Sequence, residues 1–231
     1  ITNDCALGGL NLATEYTYDL AGNLTAIKDP KGNITSREIN SLNQITKVTS
    51  PTPLSYETRY LYDANDNLLQ VNVQNKDENN NLVLSNPEFT VSYTYNVLDN
   101  LTSKTEEITA TSTIATTYEY DPNENPIRIT YPVGNKVFAA YDERDFLFQI
   151  TRGEGTPQAS TATHHYDGNG NLITFADALG NADNFSYDLF NRPTAFIDPL
   201  GNTLNYNYDL NSNLTQLKFY GPLNHAIPGN I

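Results

Sequence analysis

Along this chain, short runs of period two alternate with polar turn clusters, and no apolar stripe of helical period lasts three or more turns. Tyr16-Thr17-Tyr18, Leu24-Thr25-Ala26-Ile27, Ile34-Thr35-Ser36-Arg37-Glu38-Ile39 and Tyr118-Glu119-Tyr120 each send successive residues to opposite faces, as half-buried strands do. Gly, Asn, Asp and Pro cluster between them. These types supply the positive φ angles and the local side-chain hydrogen bonds of tight turns. The elements predicted are strand, turn, strand, turn.

The turns recur in register. The pattern is aromatic–Asp–x–x–Gly/Asp–Asn–Leu. It reads Tyr18-Asp19-Leu20-Ala21-Gly22-Asn23-Leu24, then Tyr62-Asp63-Ala64-Asn65-Asp66-Asn67-Leu68. It returns as Tyr95-Asn96 leading to Asp99-Asn100-Leu101, as Tyr120-Asp121 leading to Glu124-Asn125-Pro126, and as Tyr141-Asp142 leading to Asp145-Phe146-Leu147. Tyr166-Asp167 leads to Gly170-Asn171-Leu172, Tyr187-Asp188 to Asn191-Arg192-Pro193, and Tyr208-Asp209 to Ser212-Asn213-Leu214. Ile39-Asn40-Ser41-Leu42-Asn43-Gln44-Ile45 is a degenerate copy. The nine anchors are 21, 23, 33, 25, 21, 25, 21 and 21 residues apart. Fourteen residues after the anchor, the 21-residue copies carry Gly-Asn, as at Gly32-Asn33, Gly134-Asn135, Gly180-Asn181 and Gly201-Asn202. Longer copies carry insertions at this second turn, and the largest, Lys76 to Asn86, is expected to be an exposed loop.

Nine repeats of two strands make roughly 18 strands, or about 85 Å of sheet at about 4.8 Å per strand. The expectation is an all-β fold of tandem hairpins in a curved or spiralling antiparallel sheet, since open sheets beyond about ten strands tend to curl. Equivalent residues should align into stacked Tyr rows. The turn Gly and Asn should take left-handed conformations, and the aspartate of each motif should cap its own turn. The array is bounded at residues 15–220, with a lead-in at 1–14 and a tail at 221–231.

Composition narrows the function. With 27 Asp+Glu against 13 Lys+Arg, the net charge of −14 opposes a phosphate backbone or an anionic lipid surface. No nucleic-acid partner and no membrane insertion are expected. Cys5, the single cysteine, allows neither an intrachain disulfide nor a zinc set. The chain starts at Ile1 without a signal-peptide pattern and reads as an excised piece of a longer protein.

These motifs resemble the rearrangement-hotspot (Rhs) or YD-repeat family, over about Glu15 to Phe219. The resemblance implies a β-strand spiral wrapped into a hollow shell. In bacterial polymorphic and insecticidal toxins such shells enclose a toxic C-terminal domain, and they occur in teneurins. Related repeats occur in wall-associated surface proteins and are linked to carbohydrate binding. The chain departs from the full pattern. The PxxxxDPxGL segment that closes the family's shell and holds its aspartyl self-cleavage site is not found. The nearest strings, Asp29-Pro30-Lys31-Gly32 and Asp198-Pro199-Leu200-Gly201, read as repeat turns. No toxin domain is found either.

Candidate chemistry yields to structural readings. Asp-x-Asn-x-Asn occurs at Asp63/Asn65/Asn67, Asp121/Asn123/Asn125, Asp167/Asn169/Asn171 and Asp209/Asn211/Asn213, matching the first ligand positions of an EF-hand loop. The required sixth-place Gly is replaced by Leu68, Pro126, Leu172 and Leu214, and no Glu follows at the twelfth place. Turn capping is favoured, with no metal and no cofactor. The Tyr ladder suits sugar stacking, but strand packing is favoured. Adjacent His164 and His165 on a strand face opposite ways and do not share a metal. His225 lies in the tail, and Gly8-Gly9 lacks a P-loop context. No catalytic set is recognisable. The reading is a non-enzymatic structural segment of a large exported bacterial YD-repeat protein, extracellular or at the cell surface, forming part of a shell, stalk or fibre. Its partners are further repeats of the same chain, or identical copies joined through strand edges. A glycan-binding adhesin is the alternative, and a hydrolase ranks third.

Overall fold

A computed structural model describes residues 12–221. Cys5, Gly8-Gly9, His225 and the tail from Pro222 lie outside the described residues. All regular structure among the described residues is β, with no helix. Two compact units divide the chain after Thr117. The first holds β1 (Glu15–Tyr18), β2 (Leu24–Lys28), β3 (Ile34–Ile39), β4 (Ile45–Thr49), β5 (Glu57–Tyr62), β6 (Leu68–Gln74), β7 (Glu88–Tyr95) and β8 (Leu101–Thr109). The chain passes into the second through β9 (Ser112–Tyr120). The second continues with β10 (Pro126–Thr130), β11 (Lys136–Tyr141), β12 (Leu147–Arg152), β13 (Ser160–Tyr166) and β14 (Leu172–Ala176). It ends with β15 (Ala182–Tyr187), β16 (Pro193–Ile197), β17 (Thr203–Tyr208) and β18 (Leu214–Tyr220). Within each unit every strand pairs antiparallel with the next in sequence, as β3 does with β4 and β15 with β16. The all-β tandem-hairpin expectation holds.

Eight of the motif hairpins, β1–β2, β3–β4, β5–β6, β7–β8, β11–β12, β13–β14, β15–β16 and β17–β18, carry the same irregularity. In β1–β2, Thr17 faces Ala26 but Tyr18 faces Leu24, so Thr25 is skipped. The shift recurs at Ser186/Tyr187 and Asn207/Tyr208. It is a β-bulge, which locally increases twist and re-aims the flanking side chain. At four bulges the skipped residue is a threonine whose hydroxyl donates to the opposite strand: Thr25 to Thr17 O, Thr46 to Glu38 O, Thr102 to Thr94 O and Thr215 to Asn207 O, at 3.0–3.3 Å.

Among the described residues, only Ala139 and Ala162 are buried apolar residues, at 8% and 9% exposure. Each unit is thus held by in-sheet pairing rather than by a deep core. In the first unit, Val48, Thr58, Val73 and Phe89 align across β4–β7 on one face, and Lys47, Arg59, Asn72 and Thr90 on the other. In the second, Phe185, Phe196, Leu204 and Phe219 align across β15–β18. The Phe185 and Phe196 rings lie 5.2 Å apart, a cross-strand pair of the kind worth about 0.2–1 kcal/mol.

The insertion at Lys76–Asn86 is anchored rather than loose. Its Asp77-to-Asn81 segment forms another capped turn, with Asp77 Oδ1 accepting the Asn79 and Asn81 N–H groups. Lys76 Nζ donates to Leu54 O and Ser55 O at 2.7 and 3.1 Å, and Asn80 Nδ2 donates to Pro53 O at 2.7 Å. A polar cleft of about 570 Å³ opens there, lined by Ser55, Gln74, Lys76 and Asn80 among others.

Candidate functional site: the row of motif turns

The aspartate after each motif tyrosine sits where a five-residue turn begins. In the first copy Asp19 N donates to Asn23 O and Gly22 N donates to Asp19 O, at 2.9 and 3.2 Å. Of the N–H groups inside the turn that remain, the carboxylate takes two. Asp19 Oδ1 accepts Ala21 N and Asn23 N, while Oδ2 accepts the Asn23 side-chain amide. Asp63, Asp121, Asp167 and Asp209 repeat this arrangement with Asn67, Asn125, Asn171 and Asn213. Asp142 caps with Phe146 N and pairs with Arg144, and Asp188 caps with Arg192 N and pairs with Arg192. Asn96 replaces the aspartate beside Tyr95 and still accepts Leu98 N and Asn100 N through Oδ1. The same cap closes the second row of turns at Asp29, Asp177 and Asp198.

The backbone expectation needs one correction. Positive φ belongs to the residue before the motif asparagine, not to that asparagine. It is Gly at 22 and 170, Asn at 43 and 191, Asp at 66, 99 and 145, Glu at 124 and Ser at 212. The following Asn uses its amide side chain instead. Left-handed backbone strains L-residues other than Gly, with Asn and Asp the most tolerant. Here the side chain at that position has a use that offsets the strain.

It reaches the neighbouring repeat. Asn23 Nδ2 donates to Asn43 Oδ1 at 2.8 Å, and Gln44 Nε2 to Asp66 Oδ1 at 2.9 Å. In three of the four Asp-x-Asn-x-Asn copies, both amides converge on one oxygen. Asn65 and Asn67 donate to Asp99 Oδ1 at 3.1 and 2.7 Å, and Asn123 and Asn125 to Asp145 Oδ1 at 2.9 and 2.7 Å. Asn169 and Asn171 donate to Asn191 Oδ1 at 3.0 and 2.9 Å. These asparagines present N–H groups, and the aspartate oxygens already accept N–H donors, so the loops lack the converging oxygens of a calcium site. We expect a chelator to leave the melting temperature unchanged, as followed by circular dichroism; a bound native-state metal would lower it by linkage.

The tyrosines form a second link. Tyr62 Oη donates to Ile45 O, Tyr95 to Leu68 O, Tyr166 to Leu147 O and Tyr187 to Leu172 O, all at 2.9–3.0 Å, with Tyr141 to Pro126 O at 3.3 Å. Each acceptor opens the second strand of the preceding hairpin. The expected stacked tyrosine rows are therefore joined by hydroxyl-to-backbone bonds rather than ring on ring. Tyr208 instead lies under the Arg192 guanidinium, 4.6 Å from its ring centroid. Tyr18, on the first strand, is 58% exposed. Partial burial raises the phenol pKa of Tyr62, Tyr95, Tyr120, Tyr141, Tyr166 and Tyr187. Replacing Tyr187 by Phe should cost about 1 kcal/mol, the net worth of one hydrogen bond, and replacing it by Ala about 2–4 kcal/mol. Urea titration of each variant measures both.

The histidines diverge as expected. His164 pairs with Phe175 and His165 with Thr174. Burial holds His164 below the usual imidazole pKa, and its ring lies 5.1 Å from Phe175. Among the described residues no group of three His, Cys, Asp or Glu is placed to hold a metal. No helix there is long and apolar enough to cross a membrane.

Residues 69–221 match the family model described as Teneurin YD-shell. The chain belongs to the teneurin YD-shell family. Among curated relatives of this YD-shell chain, the tRNA3(Ser)-specific nuclease WapA of Bacillus spizizenii is 27% identical over 194 residues, covering 78% of the chain. The tRNA nuclease WapA of Bacillus subtilis is 27% identical over 203 residues, covering 78%. The chain spans 8% of the length of each. The fold matches the crystal structures of TcdB2-TccC3-Cdc42 and TcdB2-TccC3-TEV, with TM-scores of 0.52 and 0.53 at 14% and 13% identity. Both matches cover 93% of the YD-shell chain and 14% of the solved one.

Proposed function

We propose that this YD-shell chain is a non-enzymatic structural segment of a large exported bacterial YD-repeat protein, extracellular or at the cell surface, building part of a shell, stalk or fibre. The array at residues 15–220 carries that role, flanked by the lead-in 1–14 and the tail 221–231. The observation that carries the reading is where the motif side chains go. The capping aspartates and most of the motif tyrosines and asparagines bond within their own turn or to a neighbouring repeat. Motif chemistry is thus committed to joining repeats, and further YD repeats in the same longer polypeptide are the natural partners. The WapA relatives are named as tRNA nucleases, but the chain matches a small share of each. A net charge of −14 does not suit a tRNA phosphate backbone. We assign nuclease activity to other parts of such proteins.

Electron microscopy of the full-length parent tests the reading. A closed shell or an extended rod, with the array forming its wall, is expected. A glycan array run on the same protein should show no specific binding; a defined glycan ligand would move the reading to an adhesin.

A further inference from the structure

The convergent amide fork appears three times with its acceptor filled, at Asn65/Asn67, Asn123/Asn125 and Asn169/Asn171. The acceptor is each time an Asp or Asn oxygen on the left-handed residue of the next motif turn. The fourth copy of the motif, Asp209-x-Asn211-x-Asn213, has the same cap. Asp209 Oδ1 accepts the Asn211 and Asn213 N–H groups, and Oδ2 accepts the Asn213 amide at 2.9 Å. Among the described residues, its two amides have no acceptor beyond their own turn. In the filled forks the Asn corresponding to Asn213 donates twice, once to its own aspartate and once to the neighbour, as Asn125 does at 3.1 and 2.7 Å.

Other junctions show what else is tolerated. Phe146 stands where the amide should be, and the next left-handed residue is Gly170, whose added Cβ would lie 2.8 Å from the Phe146 ring. Arg192 stands there too, and it donates to Ser212 Oγ at 3.1 Å. The residue ending one turn and the left-handed residue of the next therefore form a matched pair: amide with Asp or Asn, arginine with Ser, aromatic with Gly.

We propose that the Asn211/Asn213 fork is a docking site for one kind of partner: a further YD hairpin whose turn carries Asp or Asn in the left-handed position. The partner's side-chain oxygen accepts both amides, as Asp99 does from Asn65 and Asn67. A turn with Gly there offers no such oxygen. The first motif turn of this chain has Gly22, so a second copy docking that turn on the fork would leave it unfilled. Unless other contacts compensate, the rule favours a different repeat over end-to-end self-association through this contact. The proposal rests on the scaffold reading above and names the chemistry of its junction.

The test inserts a copy of residues 177–197 between Lys218 and Phe219 of the full chain, which keeps the five-residue strand spacing of Leu172–Ala176. The copied Asn191 position is made Asn, Asp or Gly, each with Asn211 intact or as Asn211→Ala. The Asn211 side chain takes no part in its own cap, so its own turn is left in place. Hydrogen exchange of the inserted hairpin is the readout. Protection should be at least about fivefold higher with Asn or Asp than with Gly, the size of an ordinary pair coupling. That advantage should shrink by about half or more in Asn211→Ala, which leaves Asn213 as the single donor, as Asn23 is to Asn43 beside Ala21. The comparison cancels the intrinsic preference of Gly for positive φ. Equal protection in all versions, or an advantage undiminished in Asn211→Ala, overturns the fork and leaves the scaffold reading standing. An inserted hairpin with no protection in any version counts against both.

Discussion

Gly170→Ala should destabilise the chain by about 2–4 kcal/mol, whereas Gly180→Ala should cost about 1 kcal/mol. Both glycines hold positive φ, +87° and +82°. A β-carbon costs about 1–2 kcal/mol there in either case. The difference lies in what the new carbon meets. At Gly180 nothing lies within 4 Å; at Gly170 the Phe146 ring lies 2.8 Å from it. That ring is held from both sides, 5.0 Å from the Tyr166 centroid and 4.9 Å from the Arg144 guanidinium, so it cannot swing away freely. Overpacking of this kind adds about 1–3 kcal/mol. The matched-pair rule predicts a rescue. Phe146→Asn with Gly170→Asp recreates the Asn125–Asp145 junction and should recover most of what Gly170→Asp alone loses. Guanidinium titration of the single and double variants decides the point; additive losses would show that the junction residues act independently.

The hairpin count and the capping aspartates were legible because both rest on local chemistry. A turn needs positive φ and acceptors for its inner N–H groups, and both leave fixed residue types at fixed spacing. What alternation alone hid was the bulge. Period two runs through Thr17-Tyr18 without a break, while the ladder skips Thr25 opposite. The threonine that fills this position at 25, 46, 102 and 215 was the available signal, since a hydroxyl can satisfy the carbonyl the bulge exposes. The Asp-x-Asn-x-Asn strings are plain in the sequence, but their use is not. Their second and third members answer to the left-handed residue of the next repeat, about 20 to 34 residues away. Such pairing shows only when one turn is compared with its successor. The tyrosine links were hidden for the same reason. Tyr187 and its acceptor Leu172 lie 15 residues apart, in different hairpins. In both cases the missing information concerned contacts between repeats, which are also the contacts that make an array out of hairpins.

Acid should unfold this protein more sharply than its exposed surface suggests, and the effect should be traceable to single turns. The motif aspartates 19, 142, 167 and 209 and the second-row aspartates 29, 177 and 198 all have lowered pKa values, chiefly through a side-chain hydrogen bond to the partner four residues on, or to Arg144 for Asp142. At Asp63, Asp121 and Asp188 burial opposes the shift, and the backbone and side-chain hydrogen bonds outweigh it. A carboxylate with a lowered folded pKa stabilises the fold above its unfolded value, about 3.9. That stabilisation is lost as pH falls through the folded pKa, because protonation removes the acceptor that holds the turn. Stability should therefore be flat from neutrality to about pH 5 and fall steeply below about pH 4. The chain contains its own control. Asn40 caps its turn through Oδ1, accepting Leu42 N and Gln44 N, and its amide donates to Gln44 Oε1 at 2.6 Å. This turn keeps the cap without a titrating group, and Gln in place of the usual Asn reverses the side-chain hydrogen bond. The pair Asp167→Asn with Asn171→Gln transplants that solution into β13–β14. Hydrogen exchange of this hairpin should then lose its acid step while the Asp188 and Asp209 turns keep theirs. Asp167→Asn alone should fare worse at neutral pH, since two amide N–H groups would face each other where Asn171 Nδ2 now donates to Asp167 Oδ2. An unchanged acid step in the double variant would place the origin of acid unfolding elsewhere.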